Sequence, residues 1–157
     1  MSHEKLQWQL TDYAASVGMD NIQLDKNGYC CLNFKEDLLL NIQWHKNSER
    51  VVFYIHCGVL TEDGNIEIYR DLLGANLFWQ DSGGATLAVD KESNEVWLMD
   101  KKLLASFDNV NDFSRYITSI VNIAEQWQRR LTSQSKVSSI GYRNNLLSKT
   151  APHWAFA

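Results

Sequence analysis

The first apolar positions of the chain recur at steps of three and four residues, which is the period of an amphipathic helix: Leu6, Leu10, Tyr13, Ala14 and Val17. Ser2 is placed to cap the start of this helix, and Gly18 stands where a glycine commonly ends one. The pattern therefore predicts a first helix between these two residues.

The period then changes to two, which is typical of strands. Leu38, Leu40, Ile42 and Trp44 alternate with more polar neighbours, and residues 50–60 alternate in the same way. Each strand therefore has one richly apolar face and one mixed face. Short polar links between these segments favour hairpins, so we predict an antiparallel meander of three strands: 29–34, 38–45 and 50–60.

Helical periodicity returns at residues 66–77, after a polar loop in which Asn65 is a candidate cap. Two further strands follow, 85–90 and 95–100, joined by a polar turn. The most regular stripe of the chain then begins after a cap at Asp108 or Asn109 and reaches Leu131: Phe113, Ile117, Ile120, Ala124, Trp127 and Leu131. The resulting order α-β-β-β-α-β-β-α predicts an α+β fold, a twisted antiparallel five-stranded sheet with three helices.

The length of 157 residues suits one domain, which we place at residues 1–131. Residues 132–157 read as a basic, flexible tail that is dispensable for folding and begins with a Ser-rich linker, 132–139. No acidic residue follows Glu125, whereas five basic residues do, so a total charge of −4 hides −9 in residues 1–125. The basic tail is either simply solvated or docked on an acidic surface, and both alternatives remain open.

Composition excludes several classes of protein. The acidic balance argues against nucleic acid as a partner, and the longest apolar run is too short to span a bilayer. The N-terminus lacks the layout of a secretory signal, so we expect a cytoplasmic protein without membrane insertion. Three cysteines, two of them adjacent, suit a reducing compartment and read as small buried hydrophobic residues.

No catalytic or metal-binding constellation is visible in the sequence. His56 and Cys57 are neighbours on a predicted strand, so their side chains point to opposite faces and cannot act as a thiol and its base. The four histidines lack the spacing of a metal site, and Gly83-Gly84 leads into a strand rather than a helix, unlike a phosphate-binding loop. We therefore expect no enzyme activity, metal or cofactor.

Several short segments together resemble one protein family. The run Leu72-Leu73-Gly74-Ala75-Asn76-Leu77, followed by Gly83-Gly84 and the strand 86–90, is similar to the middle of the class I type III secretion chaperones, the CesT and SycE-like family. Segment 28–34 agrees as well, and so does Val96 to Leu98 ahead of Leu103-Leu104. The resemblance covers about residues 4–131, while the extension 132–157 and the six tryptophans depart from the family pattern.

The resemblance implies a bacterial, homodimeric, non-enzymatic chaperone. Members of that family bind the N-terminal segment of a secreted effector in extended form and keep it soluble and competent for export. The partners implied here are a second copy of the chain and one or more effectors, with the ATPase of the export apparatus left open as another. A small-molecule-binding α+β domain and an intracellular adaptor for folded proteins remain alternatives.

Such a function requires exposed apolar surface rather than reactive groups. For the dimer interface we predict helix two and its exit, which are more apolar than one buried stripe needs: Leu72, Leu73, Asn76, Leu77, Phe78 and Trp79. For effector binding we predict large side chains lying off the main stripe or on strands with two apolar faces: Trp8, Trp44, Tyr54, Trp97 and Met99. The alternative is that these side chains are simply core residues of their own subunit.

Overall fold

The computed structural model describes residues 2–20, 22–35, 37–61 and 66–135. Its three helices are α1 (Ser2–Val17), α2 (Ile66–Asn76) and α3 (Val110–Ser135). Its five strands are β1 (Tyr29–Lys35), β2 (Leu38–His45), β3 (Arg50–Val59), β4 (Thr86–Val89) and β5 (Glu95–Leu103). This is the predicted element order, and the predicted α+β class is confirmed.

All neighbouring strands in the sheet are antiparallel, in the order β1-β2-β3-β5-β4. The meander predicted from the first three segments is therefore confirmed, and β5 adds to β3 while β4 forms one edge. Because the chain passes from β3 through α2 to the far edge before returning, β4 and β1 are the two outer strands. Irregular pairing interrupts β1 between Asn33 and Lys35, and β3 between His56 and Gly58.

The main core lies between one face of the sheet and the helices. Every residue of the predicted α3 stripe is buried, and Phe113 sits edge-on to Tyr13 of α1 at 6.3 Å between ring centroids. From the sheet, the alternating apolar positions of β2 and β3 enter the same cluster, including Ile42, Phe53 and Ile55. The apolar side chains that the sequence periodicity identifies thus pack together in one buried layer. Burial of such a layer is the main source of stability in a single domain.

Two residues at helix ends have the roles that the sequence predicts. Gly18 has φ +68, the left-handed conformation that ends α1 with little strain. The Asn109 Oδ1 atom accepts a hydrogen bond from the N–H of Asp112 at 3.0 Å, so Asn109 is the cap of α3.

The structure also differs from the prediction at element ends. Helix α3 continues four residues past Leu131, to Ser135, and β5 continues to Leu103. The proposed Asn65 cap and the tail from residue 136 onward lie outside the described residues. Among the helices that are described, none has the length and apolar character needed to cross a membrane.

Candidate protein-binding surfaces

The sheet has a second face, turned away from the core, which we call the outer face. Strand alternation and register place Cys31, Asn41, Tyr54 and Met99 in one row across it. In an adjacent row His56 pairs with Trp97, and alternation along β2 places Leu39 on the same face. The outer face therefore collects residues from four strands that are far apart in sequence.

An aromatic cluster occupies the middle of the outer face. The rings of Tyr54 and Trp97 lie 6.0 Å apart, and Tyr29, Val52 and Met99 pack around them. Tyr54 is 0% exposed and Trp97 is 6% exposed, yet no side chain of the described helices belongs to this cluster. Burial raises the pKa of Tyr54 well above its usual value, so the side chain stays neutral within this cluster.

Polar groups surround the aromatic cluster on the β1 side. The Tyr29 hydroxyl donates to the Asn41 Oδ1 atom at 2.8 Å. The Gln43 amide donates to the backbone carbonyls of Asn27 and Trp44, at 2.9 and 3.1 Å. These bonds fix the orientation of the side chains, so the outer face is a preorganised surface rather than a loose one.

An open depression adjoins the cluster at the β4–β5 turn. It measures about 320 Å³, and its walls are the turn residues 90–92 and the side chains of Trp97 and Met99. A depression with an aromatic wall and a charged rim can accept a bulky side chain from another segment of polypeptide.

The two edges of the sheet differ. At β4, the Asn76 side chain donates to the Leu87 carbonyl at 2.9 Å and accepts from the Leu87 N–H at 2.9 Å. These backbone groups point away from β5, where an added strand would need them. Asn76 therefore closes the β4 edge from the end of α2.

The β1 edge is open. The N–H of Tyr29 donates to Asp25 Oδ1 and its carbonyl accepts from the Asp25 N–H, both at 2.8 Å, so its backbone groups point away from β2. Because this direction alternates along a strand, the backbone groups of Cys31 and Asn33 also point outward. Neither residue has a backbone partner on that side among the described residues, which leaves room for one more strand.

A third surface lies at α2 and its exit. Four of the six residues predicted for the dimer interface are largely exposed there: Leu73, Leu77, Phe78 and Trp79. Leu72 instead turns into the core, and Asn76 makes the contact with β4 described above. Ile66 is exposed on the same helix, so the apolar surface extends along α2.

The exit of α2 holds two aromatic residues in an unusual backbone conformation. Phe78 and Trp79 have φ +53 and +55, in the left-handed region that bulky residues rarely adopt. The segment that follows is attached to α3, because Trp127 Nε1 donates to the Asp81 carbonyl at 3.1 Å. Gly83 in the same turn has φ +60 and lies directly against the Ile123 side chain. This attachment holds the two aromatic rings toward solvent.

The residues predicted for effector binding are divided among three places. Tyr54, Trp97 and Met99 come together on the outer face. Trp8 lies on α1 with 73% of its surface exposed. Trp44 lies in the main core, where Gly28 at φ +77 fits against its side chain.

The prediction that all three cysteines are buried is wrong for Cys31, which alternation along β1 turns to the outer face, where it is exposed. The placement of His56 and Cys57 on opposite faces is as predicted. Cys57 is in the core, whereas His56 contacts Trp97 on the outer face, at 5.2 Å between ring centroids. Burial raises the pKa of both Cys30 and Cys57 to about 12, so these thiols stay protonated at neutral pH. Within the described ranges no group of three or more His, Cys, Asp or Glu side chains is placed to hold a metal ion.

Sequence reasoning missed two features of these surfaces. Tyr29 and Val52 belong to the aromatic cluster, a role that their alternation with Tyr54 across neighbouring strands could have indicated once the register was known. The role of Asn76 depends on where α2 ends relative to β4, and no local signal in the sequence gives that distance.

Solved structures share this fold. One chain in the structure of the ExsC–ExsE complex aligns with a TM-score of 0.68 and 24% identity, over 82% of this chain and 94% of that one. A chain of the HopA1–SchA chaperone–effector complex gives 0.67 and 18%, over 82% and 97%. The Yersinia pestis structure of the type III secretion chaperone SycH with a stable fragment of YscM2 gives 0.60 and 21%, over 77% and 98%.

Sequence comparison gives the family. The Chlamydia pneumoniae protein CPj0713/CpB0740 is 25% identical over 120 residues, which cover 75% of this chain and 89% of that protein. The sequence model of the Tir chaperone protein (CesT) family matches residues 9–128, from α1 almost to the end of α3. This confirms the resemblance read from the Leu72–Leu77 run and its flanking segments. The chain belongs to the Tir chaperone protein (CesT) family.

Proposed function

We propose that this protein is a type III secretion chaperone that binds the N-terminal segment of a secreted effector in extended form. It acts as a homodimer in the bacterial cytoplasm, keeps the segment soluble and export-competent, and catalyses no reaction. Membership of the CesT family supports this function, and the same fold has been solved in a chaperone–effector complex.

The observation that carries the proposal is the open β1 edge beside the outer face. Outward backbone groups at Cys31 and Asn33 can pair with an extended segment, and this pairing requires no particular side chains. Apolar side chains of the bound segment then meet the outer face, which begins at β1 and continues to Tyr54. An unfolded segment is the partner that fits an open edge and an apolar face together.

The effector contacts that we propose follow from position on the outer face and, for Trp8, from exposure. Met99 and Trp97 line the depression there, and the buried Tyr54 packs on Trp97. Trp8 offers a second patch on α1, on the helical side of the molecule, so a bound segment has to wrap from one layer to the other. Trp44 contributes to effector binding indirectly. It lies in the core and packs against Gly28, in the turn ahead of β1.

The homodimer interface that we propose is the apolar surface of α2. Leu73, Leu77, Phe78 and Trp79 form one exposed patch next to the closed β4 edge, and isolated patches of this kind commonly mark protein contacts. Two further residues hold α2 in place under the patch. Leu72 packs into the core, and Asn76 bonds to the backbone of β4. A twofold axis at α2 would bury the patch of both copies and leave both β1 edges open.

The absence of catalysis rests on chemistry rather than on a missing motif. His56 and Cys57 occupy opposite faces of the sheet, so the one adjacent thiol and imidazole cannot share a proton. The raised pKa of the Cys57 thiol further disfavours a nucleophilic role.

A proline at the β1 edge tests the proposal. Asn33→Pro removes an N–H that points away from β2, so the sheet keeps its pairing while an added strand loses its donor. We expect the effector segment that copurifies from the native bacterium to bind about tenfold more weakly or worse. Asn33→Ala is the matched control and should bind as the natural protein does. Equal binding by both variants would show that no strand adds at β1.

Alanine variants test the side-chain contacts. Trp8→Ala should weaken effector binding by about thirtyfold while the melting temperature stays unchanged, because Trp8 is exposed. Val17→Ala, on the same helix and also exposed, is the control. Trp97→Ala should weaken binding and also lower stability, because Trp97 packs on Tyr54. Normal binding by both tryptophan variants would remove these residues from the contact surface.

The alternatives predict different partners. An adaptor would bind a folded domain, whereas the chaperone protects one disordered segment from proteolysis. A small-molecule binder would be stabilised by a metabolite extract without any protein partner.

A further inference from the structure

The end of α3 lies close to one end of the outer face. The Leu131 side chain contacts Gly58, since a Cβ added there would come within 3.2 Å of Leu131 Cδ1. One turn earlier, Gln128 Nε2 donates to the His56 carbonyl at 3.2 Å. Because His56 pairs with Trp97 in the sheet, α3 leaves the core beside the strand end that carries the aromatic cluster.

The chain that follows is long enough to pass around this end of the sheet. Residues 136–157 lie outside the described part of the chain and contain 22 positions. At about 3.3 Å per extended residue they reach about 70 Å. The outer face is about 20 Å wide across five strands and about 33 Å long along a ten-residue strand.

The aromatic cluster is buried on a sheet face that no described helix covers. A sheet face without a helix on it is normally wetted, as in antiparallel sheets with one solvated side. Tyr54 and Trp97 nevertheless have the exposure of core residues, and the described helices all pack on the opposite face. A covering segment from elsewhere in the chain would account for this burial.

Charge and composition match the two surfaces. Around the depression at the β4–β5 turn, Asp90 and Glu92 outnumber Lys91. Residues 136–157 carry no acidic side chain, and their basic and large apolar residues are interspersed: Lys136, Ile140, Tyr142, Arg143, Lys149, Trp154 and Phe156. Such a segment can place an apolar ring against Trp97 and a basic group on the acidic rim.

From these observations we propose that residues 136–157 of the chain itself occupy the Trp97 end of the outer face. The tether keeps the segment at about millimolar effective concentration, so even a site with a dissociation constant of about 0.1 mM is filled about ten to one. If the proposed function holds, an effector segment must displace this internal occupant to reach Trp97. Loading is then a competition between two segments for one surface.

The test uses the full chain and its own thiol. Cys31 is exposed on the outer face, while Cys30 and Cys57 are buried, so a nitroxide spin label can be attached at Cys31 alone. In ¹⁵N-labelled protein we expect the amide signals between Tyr142 and Phe156 to lose most of their intensity through paramagnetic broadening. Adding salt should restore part of the intensity, because the rim contacts are exposed ion pairs.

A label on the other side of the molecule is the control. In Cys31→Ser/Asp12→Cys the nitroxide sits on an exposed position of α1, and signals beyond residue 136 should remain sharp. Mixing ¹⁵N-labelled protein without nitroxide and unlabelled protein with it should give no broadening, since the contact lies within one chain. Sharp tail signals with the Cys31 label, equal broadening from both labels, or broadening of the tail signals in the mixed sample would each overturn the proposal. No effector takes part, so this result and the proposed function fail separately.

Discussion

The α2 patch predicts a specific loss of dimer stability when Phe78 is replaced by asparagine. Asparagine tolerates the left-handed backbone at φ +53, so Phe78→Asn removes the ring without disturbing the turn. The ring is 78% exposed in the single chain and belongs to no core cluster. We therefore expect the fold of each subunit to remain intact.

The size of the effect follows from the exposed area. Taking about 150 Å² for the side chain, 78% exposure leaves about 120 Å² for burial in a dimer. At about 25 cal/mol per Å² this amounts to about 3 kcal/mol for each copy, and a twofold interface uses the residue twice. If the partner covers only half of the ring, the dimer still loses about 3 kcal/mol, which raises its dissociation constant by about 100-fold.

Sedimentation equilibrium over a dilution series measures this constant. The natural protein should have about twice the chain mass of 18.1 kDa at micromolar concentration. Trp8→Asn is the matched control, because Trp8 is similarly exposed but lies on α1. A natural protein that stays monomeric would refute the homodimer, and a Phe78→Asn constant equal to that of the control would refute its placement at α2.

Three further predictions concern the fold. Asn76→Ala should lower the melting temperature by about 4–8 °C, because two backbone groups of β4 lose their partner, at a cost of about 2 kcal/mol. Gly83→Ala should cost about 1–2 kcal/mol in denaturant unfolding, since φ +60 strains alanine and its Cβ meets an α3 side chain. Alkylation of the native protein, followed by mass spectrometry, should modify Cys31, which is exposed, and spare Cys30 and Cys57, which are buried.

The fold was predictable because its signals are periodic. The α3 stripe from Phe113 to Leu131 and the alternation of β2 and β3 both identify the side chains that become buried on folding. The end of α3 was less predictable, because helix propensity and packing decide it together, and residues 132–135 are polar.

The surfaces were only partly predictable, for a physical reason. Trp44 shares its phase with Leu38, Leu40 and Ile42, and this wholly apolar face is the one that the helices cover. Trp97 alternates with Val96 and Leu98, so it falls on the opposite face. Alternation separates the two faces of a strand, but only packing of helices from elsewhere in the sequence decides which face becomes the core.

The pattern of apolar and polar side chains does not predict which backbone N–H and C=O groups stay unpaired at the edges of the sheet. The open edge at Cys31 and Asn33 results from strand order, since β1 is a terminal strand and no strand of the described part of the chain pairs with it on its outer side. The closed edge at β4 results from one side chain at the end of α2. Both features depend on the three-dimensional arrangement of segments that are distant in sequence.

Hydrogen exchange at the β1 edge tests the central claim most directly. The chaperone is purified with its effector from the native bacterium, and exchange of the Cys31 and Asn33 amides is compared with that in the free protein at single-residue resolution. Strand addition predicts fast exchange in the free protein and strong protection in the complex, because the two outward N–H groups gain acceptors. Unchanged exchange at both amides in a saturated complex would contradict the account.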